Sequence, residues 1–298
     1  MMKILDCVII GGGIAGLQAA IQLGRYKHHV LVIDSEVGRS ILCKSYHNIL
    51  GYPDGISGTE LRQKGKQQAE SLGVEFLSTT ATNVENEDGY FMIATEAGKY
   101  KAKRLLLATG IIDNIPPFAE LYPCLGISVY LCPDCDGYEV KNKRTIVIGN
   151  GKVGANMALT LTYWTKELIY VNHGGEAIDE ELQKKLAEQN IPVIDKKINK
   201  VEADGSSLKG FTLDDGEFLE GEHGFIAFGG NIVKSELAKQ LGVEILENNH
   251  IPVNGRTKMT SVENVWAAGD IVAHSEQVTI AMGDGSQAAI WIHKSLLN

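Results

Sequence analysis

Two glycine turns, each entered from a short run of strand-forming residues, limit what this chain can become. The first is Gly11-Gly12-Gly13-Ile14-Ala15-Gly16, after Cys7-Val8-Ile9-Ile10. The second is Gly149-Asn150-Gly151-Lys152-Val153-Gly154, after Thr145-Ile146-Val147-Ile148. Both have the spacing G-x-G-x-x-G. In that pattern the first glycine makes the tight turn and the second lets a pyrophosphate approach the backbone. The third lets the following helix pack close on its strand, and the helix N-terminus offers free N–H groups to phosphate oxygens. One such turn alone is a weak signal. Here the first leads into a helical stretch, Ile14 to Leu23, and then an apolar strand, His29 to Ile33, ending on Asp34. An acid at that point can accept hydrogen bonds from a ribose diol. The second leads into a helix over Ala155 to Tyr163 and a strand over Leu168 to Val171. A strand–helix–strand unit thus occurs twice, about one domain length apart. This predicts an α/β chain with two Rossmann-like dinucleotide-binding domains.

With 298 residues the chain has room for both. Its formal charge is 28 − 37 = −9, which opposes the clustered positive charge that nucleic-acid binding needs. The short basic run Lys101 to Arg104 reads as a solvated strand end. No stretch reaches the roughly 18–20 uninterrupted apolar residues of a membrane helix. The apolar N-terminal run is broken by glycines, with no cleavage-like region after it. Five cysteines, Cys7, Cys43, Cys124, Cys132 and Cys135, are too few and odd in number for a disulfide scaffold. These features predict a cytoplasmic protein with one reactive thiol pair.

That pair is Cys132-Pro133-Asp134-Cys135, followed at once by Asp136 and Gly137. C-x-x-C also occurs as half of a zinc site, but the sequence has no second C-x-x-C, and His173 stands alone beside glycines. A redox role is the expectation, with no metal site, and with Cys7, Cys43 and Cys124 as packed thiols. Around these motifs the chain alternates in predictable ways. Gly38 to Gly58 reads as a long loop and Thr59 to Leu72 as a helix. Val74 to Leu77, Tyr90 to Thr95 and Tyr100 to Lys103 suggest a small antiparallel insert. Arg104 to Ala108 is a buried strand running into Thr109-Gly110. Pro116-Pro117 marks a linker. A strand over Val265 to Ala268 ends on Gly269-Asp270, and a final helix spans Ile280 to Leu297.

Gly11-x-Gly13-x-x-Gly16, Ala108-Thr109-Gly110, the C-x-x-C-Asp-Gly block, the second glycine turn and Ala268-Gly269-Asp270 fall in one order along the chain. That order resembles the low-molecular-weight thioredoxin reductases over essentially the whole length. Gln277 with Gly283-Asp284-Gly285 is similar to the flavin-contacting end of that family. The resemblance implies a homodimer with a discontinuous FAD domain, residues 1–114 and 245–298, and an inserted NAD(P)-like domain, residues 115–244, carrying the redox cysteines. It implies cofactor contacts from Gly11, Gly13, Ala15, Gly16, Asp34, Ser35, Thr109, Gly110, Gly269 and Asp270, with Asn48 and Gln277 near the isoalloxazine. Gly149, Gly151 and Gly154 would face the second nucleotide. Cys132 would be the exchange thiol, Cys135 the thiol facing the flavin, and Asp136 their general acid/base. The partner implied is a thioredoxin-like protein or a small dithiol or disulfide.

One stretch departs from the family. Members that use NADPH follow the second strand with H-R-R-x-x-x-R, whose planar guanidinium groups grip the 2′-phosphate. The corresponding residues here are Val171-Asn172-His173-Gly174-Gly175-Glu176-Ala177. Neither arginine of the pair is present, and Glu176 would repel a phosphate. NADPH, NADH and no nicotinamide at all therefore stay open. So do the electron donor and the direction of electron flow, because some relatives of this fold take electrons from ferredoxin, and Tyr138-Glu139 after the thiol block also matches gliotoxin-type dithiol oxidases, which take them from a substrate dithiol. The first expectation is an FAD-dependent thiol–disulfide oxidoreductase acting on a protein disulfide of thioredoxin type. A dithiol oxidase using oxygen and a non-enzymatic flavin redox sensor are the alternatives.

Overall fold

The computed structural model describes residues 3–297. Strand β1 (Ile4–Ile10) runs into the first glycine turn, then helix α1 (Ile14–Arg25) and strand β2 (Val30–Asp34). Next come α2 (Gly58–Ser71), β3 (Glu75–Ser78), β4 (Ala81–Glu87), β5 (Tyr90–Thr95), β6 (Gly98–Leu107) and the short β7 (Ile111–Ile112). The middle of the chain holds the helical turn α3 (Leu121–Cys124), β8 (Val129–Tyr130) and the helical turn α4 (Pro133–Asp136). It continues through β9 (Thr145–Gly149), α5 (Gly151–Leu161), β10 (Leu168–Asn172), α6 (Glu180–Glu188) and β11 (Val193–Ile194). Strands β12 (Ile198–Asp204), β13 (Ser207–Leu213), β14 (Phe218–Glu220) and β15 (His223–Ala227) follow. The chain ends with β16 (Ile232–Val233), α7 (Glu236–Gln240), β17 (Val265–Ala267) and α8 (Val278–Leu296).

Two compact units result. The first takes Met1–Ile41, Gly58–Ile112 and Ile232–Asn298, and the second takes Leu42–Ser57 and Asp113–Asn231. In the first, the sheet order is β3-β2-β1-β6-β5-β4, with β17 also paired to β6. Strand β6 is long enough to border two neighbours on one side: its start pairs antiparallel with β5 and its end parallel with β17. Cys7, Ile9, Val30, Val32 and Leu106 face one layer, with α1 and α8, while Val8, Ile10, Leu31, Ile33, Leu105 and Leu107 face the other. Burial on both faces is why these strands read as continuous apolar runs. In the second unit the order is β11-β10-β9-β15-β8, all parallel, and β12-β13-β14 form a separate antiparallel sheet. An α/β chain built on two Rossmann-like sheets is thus the observed fold.

The boundaries differ from the sequence expectation in two places. The chain rejoins the first unit at Ile232, not at residue 245. Strand β16 pairs antiparallel with β7, and Leu237, Ala238 and Val243 enter the first unit's core. The loop Leu42–Ser57 groups with the second unit, where Lys44 N–H donates to the Leu125 carbonyl at 2.8 Å and Leu42 packs on the core holding Leu125 and Val129. Strand β4 is absent from the sequence reading. Its buried residues, Ala81 and Val84, are three apart, because a register shift between Ala81 and Asn83 breaks the period-2 pattern. Tyr100 to Lys103 and Arg104 to Leu107 form one strand, not two.

The turns depend on close backbone approach. A Cβ on Gly16 would sit 1.9 Å from the Gly11 carbonyl oxygen, and backbone cannot swing aside as a side chain can. We expect Gly16→Ala to cost about 3 kcal/mol, the upper end for overpacking, read as a lower denaturation midpoint. A variant as stable as the wild type would contradict this packing.

Candidate active site

The first glycine turn leaves open space at the start of its helix. Gly11 takes φ +107, and a Cβ there would meet the Ala108 carbonyl oxygen at 2.2 Å. This contact fixes the turn against the end of β6. Gly13 is the N-cap of α1, no side chain caps the helix, and a Cβ on Gly13 would meet nothing within 4 Å. The N-terminal end of α1 is therefore approachable by phosphate. Ala15 serves packing: a Cβ on Gly269 would lie 2.9 Å from its Cβ, and one on Gly285 would lie 2.2 Å from its carbonyl oxygen. Asp34 stands at the end of β2, packed over Gly12, and Ser35 after it is exposed. The Asp34 Oδ2 accepts from Arg62 Nη2 at 2.6 Å. The other terminal nitrogen, Arg62 Nη1, is buried and has no partner among the described residues. Arg62 was missed from sequence because no local motif marks it; only the face it occupies on α2 brings it to Asp34.

Gly269, with φ +80, donates its N–H to Asp284 Oδ2 at 3.1 Å. Asp284 is buried on α8, with His274 Nε2 at 2.5 Å and Lys258 Nζ at 2.8 Å. Burial pushes the Asp284 carboxyl up, but the bonds from His274 and Lys258 outweigh it and hold it below the usual carboxylate range. The same bond raises His274. Asp270 faces Arg39 Nη1 at 3.2 Å, and that nitrogen also contacts Glu276. Burial raises the Asp270 carboxyl, Arg39 pulls it back, and Glu276 adds repulsion. Gln277 is the half-buried N-cap of α8. Thr109 Oγ1 donates to the Lys234 carbonyl at 2.6 Å, and the Gly110 carbonyl accepts from Lys234 N–H at 3.0 Å. Those two residues therefore fasten the returning chain. Asn48 is exposed and belongs to the loop that groups with the second unit, so it and Gln277 do not share a unit.

The thiol pair lies in the second unit. Cys132 is the N-cap of α4 in an extended conformation, and Pro133 occupies the first helical position, where its missing N–H costs nothing. The turn closes through Cys135 N–H and Asp136 N–H, which donate to the Cys132 carbonyl at 3.3 and 3.0 Å. It brings the two sulfurs to 2.6 Å. Gly137 is dictated by packing, since a Cβ there would lie 2.7 Å from the Trp164 ring. The Asp136 charge reaches Cys43 and Tyr130. Burial, then Asp136, pushes the Cys43 thiol up to about 12, while burial, then Glu139 and Asp136, raises the Tyr130 phenol. Cys7 and Cys124 are fully buried and also raised by desolvation. A thiol that stays protonated is a poor nucleophile, so these three are packing residues. No group of His, Cys, Asp and Glu among the described residues could hold a metal, and no described helix is long and apolar enough to cross a membrane.

At the second turn, a Cβ on Gly149 would meet the Ala227 carbonyl oxygen at 2.3 Å, as Gly11 meets Ala108. Gly154 packs against the Tyr170 ring. Gly151, with φ +45, faces Glu176. Beyond it lies a cleft of about 520 Å³ lined by His173, Glu176, Asp195, Lys196, Lys197 and Asp214, among others.

Residues 5–285 match the family described as pyridine nucleotide-disulphide oxidoreductase. A thioredoxin reductase of Treponema pallidum (strain Nichols) is 32% identical over 298 residues, covering 95% of this chain and 94% of that protein. The solved structure of HlmI is 27% identical with a TM-score of 0.88, over 100% of this chain and 94% of the other. The thioredoxin reductase of Giardia duodenalis is 25% identical with a TM-score of 0.83, over the whole of both chains.

The His274–Asp284 pair makes stability depend on pH. His274, raised above its ordinary value of 6.5, stabilises fully below that value and loses its contribution as pH rises through the folded one. Asp284, lowered from 3.8, contributes above that value and loses it as pH falls through the folded one. The difference in Tm between wild type and His274→Ala should be largest between the two ordinary values, 3.8 and 6.5, and shrink as pH rises above 6.5 through the folded His274 value. A difference that stays constant with pH would count against the pair.

Proposed function

The chain belongs to the pyridine nucleotide-disulphide oxidoreductase family, and on that premise we propose that it is an FAD-dependent thiol–disulfide oxidoreductase. Its dithiol, Cys132 and Cys135, exchanges electrons with FAD and with an external disulfide, of a thioredoxin-type protein as first choice. The observation that carries this reading is the 2.6 Å approach of the two sulfurs on one helical turn, with Asp136 directly after them. The thioredoxin reductase relatives support the partner class, and we extend the resemblance to a homodimer.

The first unit suits FAD. The open backbone at Gly13 and the uncapped start of α1 would take the pyrophosphate. Asp34, with the unpartnered Arg62 Nη1 beside it, would take the adenosine ribose. Gly269 and Asp270 would complete the cradle. When bound, FAD supplies a carrier that gives and takes electron pairs.

The chain's own residues handle the exchange. In the reducing direction the Cys132 thiolate attacks one sulfur of the partner disulfide. A mixed disulfide forms and the other partner sulfur leaves as a thiolate. Cys135 then attacks Cys132 Sγ, closing the internal disulfide and releasing the second partner thiol. Asp136 takes the Cys135 proton and passes it to the leaving sulfur.

The purified protein should be yellow, and anaerobic dithiothreitol should bleach it. A colourless protein that cannot be reconstituted with FAD would end this reading. Cys135→Ser should keep FAD and lose turnover. Asp136→Asn should lower kcat by about 10²-fold, the low end for a general acid/base, and shift the acid limb of the pH–rate profile. Full activity in Cys135→Ser would refute the dithiol route.

A further inference from the structure

The two glycine turns share a sequence pattern, yet the chain folds them differently, and the difference falls where a pyrophosphate would bind. Both first glycines press against a strand-end carbonyl, Gly11 on Ala108 and Gly149 on Ala227. In the first turn the positive φ lies on that glycine, at +107 on Gly11, while Gly13 has φ −75 and faces open space. In the second turn the positive φ has moved to Gly151, at +45, and α5 begins on that residue.

The space at Gly151 is taken. A Cβ there would lie 2.9 Å from Glu176 Cβ, 3.3 Å from its Oε2 and 3.4 Å from the Ala177 carbonyl oxygen. The nearest atom is the root of the side chain, so no rotamer change clears the cradle; the loop itself would have to move. That loop is tied to the turn it covers. Gly174 N–H donates to the Gly149 carbonyl at 3.1 Å, and Glu176 N–H donates to Asn150 Oδ1 at 3.1 Å. The buried Asn172 accepts from Gly151 N–H at 2.9 Å, and its Nδ2 donates to the Glu176 carbonyl at 2.9 Å and to Asp195 Oδ1 at 2.7 Å. The first free N–H of α5 is thus already satisfied, and a tethered carboxylate stands at the positive end of the helix, where a phosphate would otherwise sit.

We propose that the Asn172–Ala177 loop, with Glu176 as its plug, closes the second unit's glycine turn to the pyrophosphate of a nicotinamide dinucleotide. The second unit then carries the dithiol on a dinucleotide-type fold without using a dinucleotide, and the electron partner of the protein is not NADPH or NADH. The adjoining cleft sets Glu176, Asp195 and Asp214 against Lys196 and Lys197, and Lys196 is already paired with Asp215 and Glu217, so the balance there gives a phosphorylated ribose no cluster of free positive charge. This reverses the expectation drawn from Gly149, Gly151 and Gly154 alone. It holds whichever way electrons cross the dithiol.

Calorimetric titration of the FAD-loaded protein with NADPH, NADH and ADP-ribose tests this, with hydrogen exchange of the 149–154 backbone read in parallel. The expected result is no saturable heat and no added protection at that turn up to millimolar ligand. Glu176→Gly should gain ADP-ribose affinity by about tenfold or more, as removing one like charge at contact distance implies, with new protection at Gly149 to Gly154. Saturable binding of either dinucleotide by the wild type with protection of that turn would overturn the proposal. So would a folded Glu176→Gly that gains nothing. Should that variant fail to fold, the wild-type titration alone decides. Bleaching of the flavin by dithiothreitol, measured separately, keeps a failure of this proposal distinct from a failure of the flavin–dithiol reading.

Discussion

The contact on which the rest depends is backbone against backbone. In each unit the first glycine of the turn lies where a Cβ would reach 2.2–2.3 Å from a carbonyl oxygen at the end of a neighbouring strand, Ala108 or Ala227. Only glycine permits this, and it aims the following helix N-terminus past the end of the sheet. The apolar strands behind it, buried on both faces, hold that geometry rigid. A site assembled at the ends of such strands inherits their precision.

From that shared start the two units diverge by what the chain places in the cradle. In the first, the acid at the end of β2 is held by Arg62, leaving Gly13 open and one guanidinium nitrogen without a partner. In the second, Asn172 stands in the equivalent place and turns its side chain back onto Gly151. The next loop then follows it down over the turn. One scaffold therefore supports an open turn and a filled one. The difference rests on a few polar side chains and on which glycine adopts the left-handed conformation. The second unit also carries the thiol turn, where Pro133 starts the helix and Gly137 admits Trp164.

Much of this was legible in the sequence because the signals are local. Strands buried on two faces read as apolar runs, and the glycine turns, the C-x-x-C pair and Gly269-Asp270 each declare themselves within a few residues. What escaped is long-range or hidden by irregularity. Strand β4 is polar and its bulge breaks the alternation that would have marked it. The loop Leu42–Ser57 reveals its unit only through its bonds to Leu125, far along the chain. Arg62, Lys258 and His274 meet their partners Asp34 and Asp284 only in the folded chain. The loss of the arginine clamp could be read from Asn172 to Glu176. That Glu176 fills the space over Gly151 could not, because φ at a glycine is not written in the sequence pattern.

In the function we propose, the thiol pair and a flavin form one redox unit. Anaerobic reductive titration of the FAD-loaded protein with dithionite measures this directly. A coupled flavin and internal disulfide should consume about four electrons per chain before the flavin is fully bleached, and Cys135→Ser should consume about two. A wild-type protein whose flavin bleaches fully with about two electrons, the thiols untouched, would show that the two are not coupled.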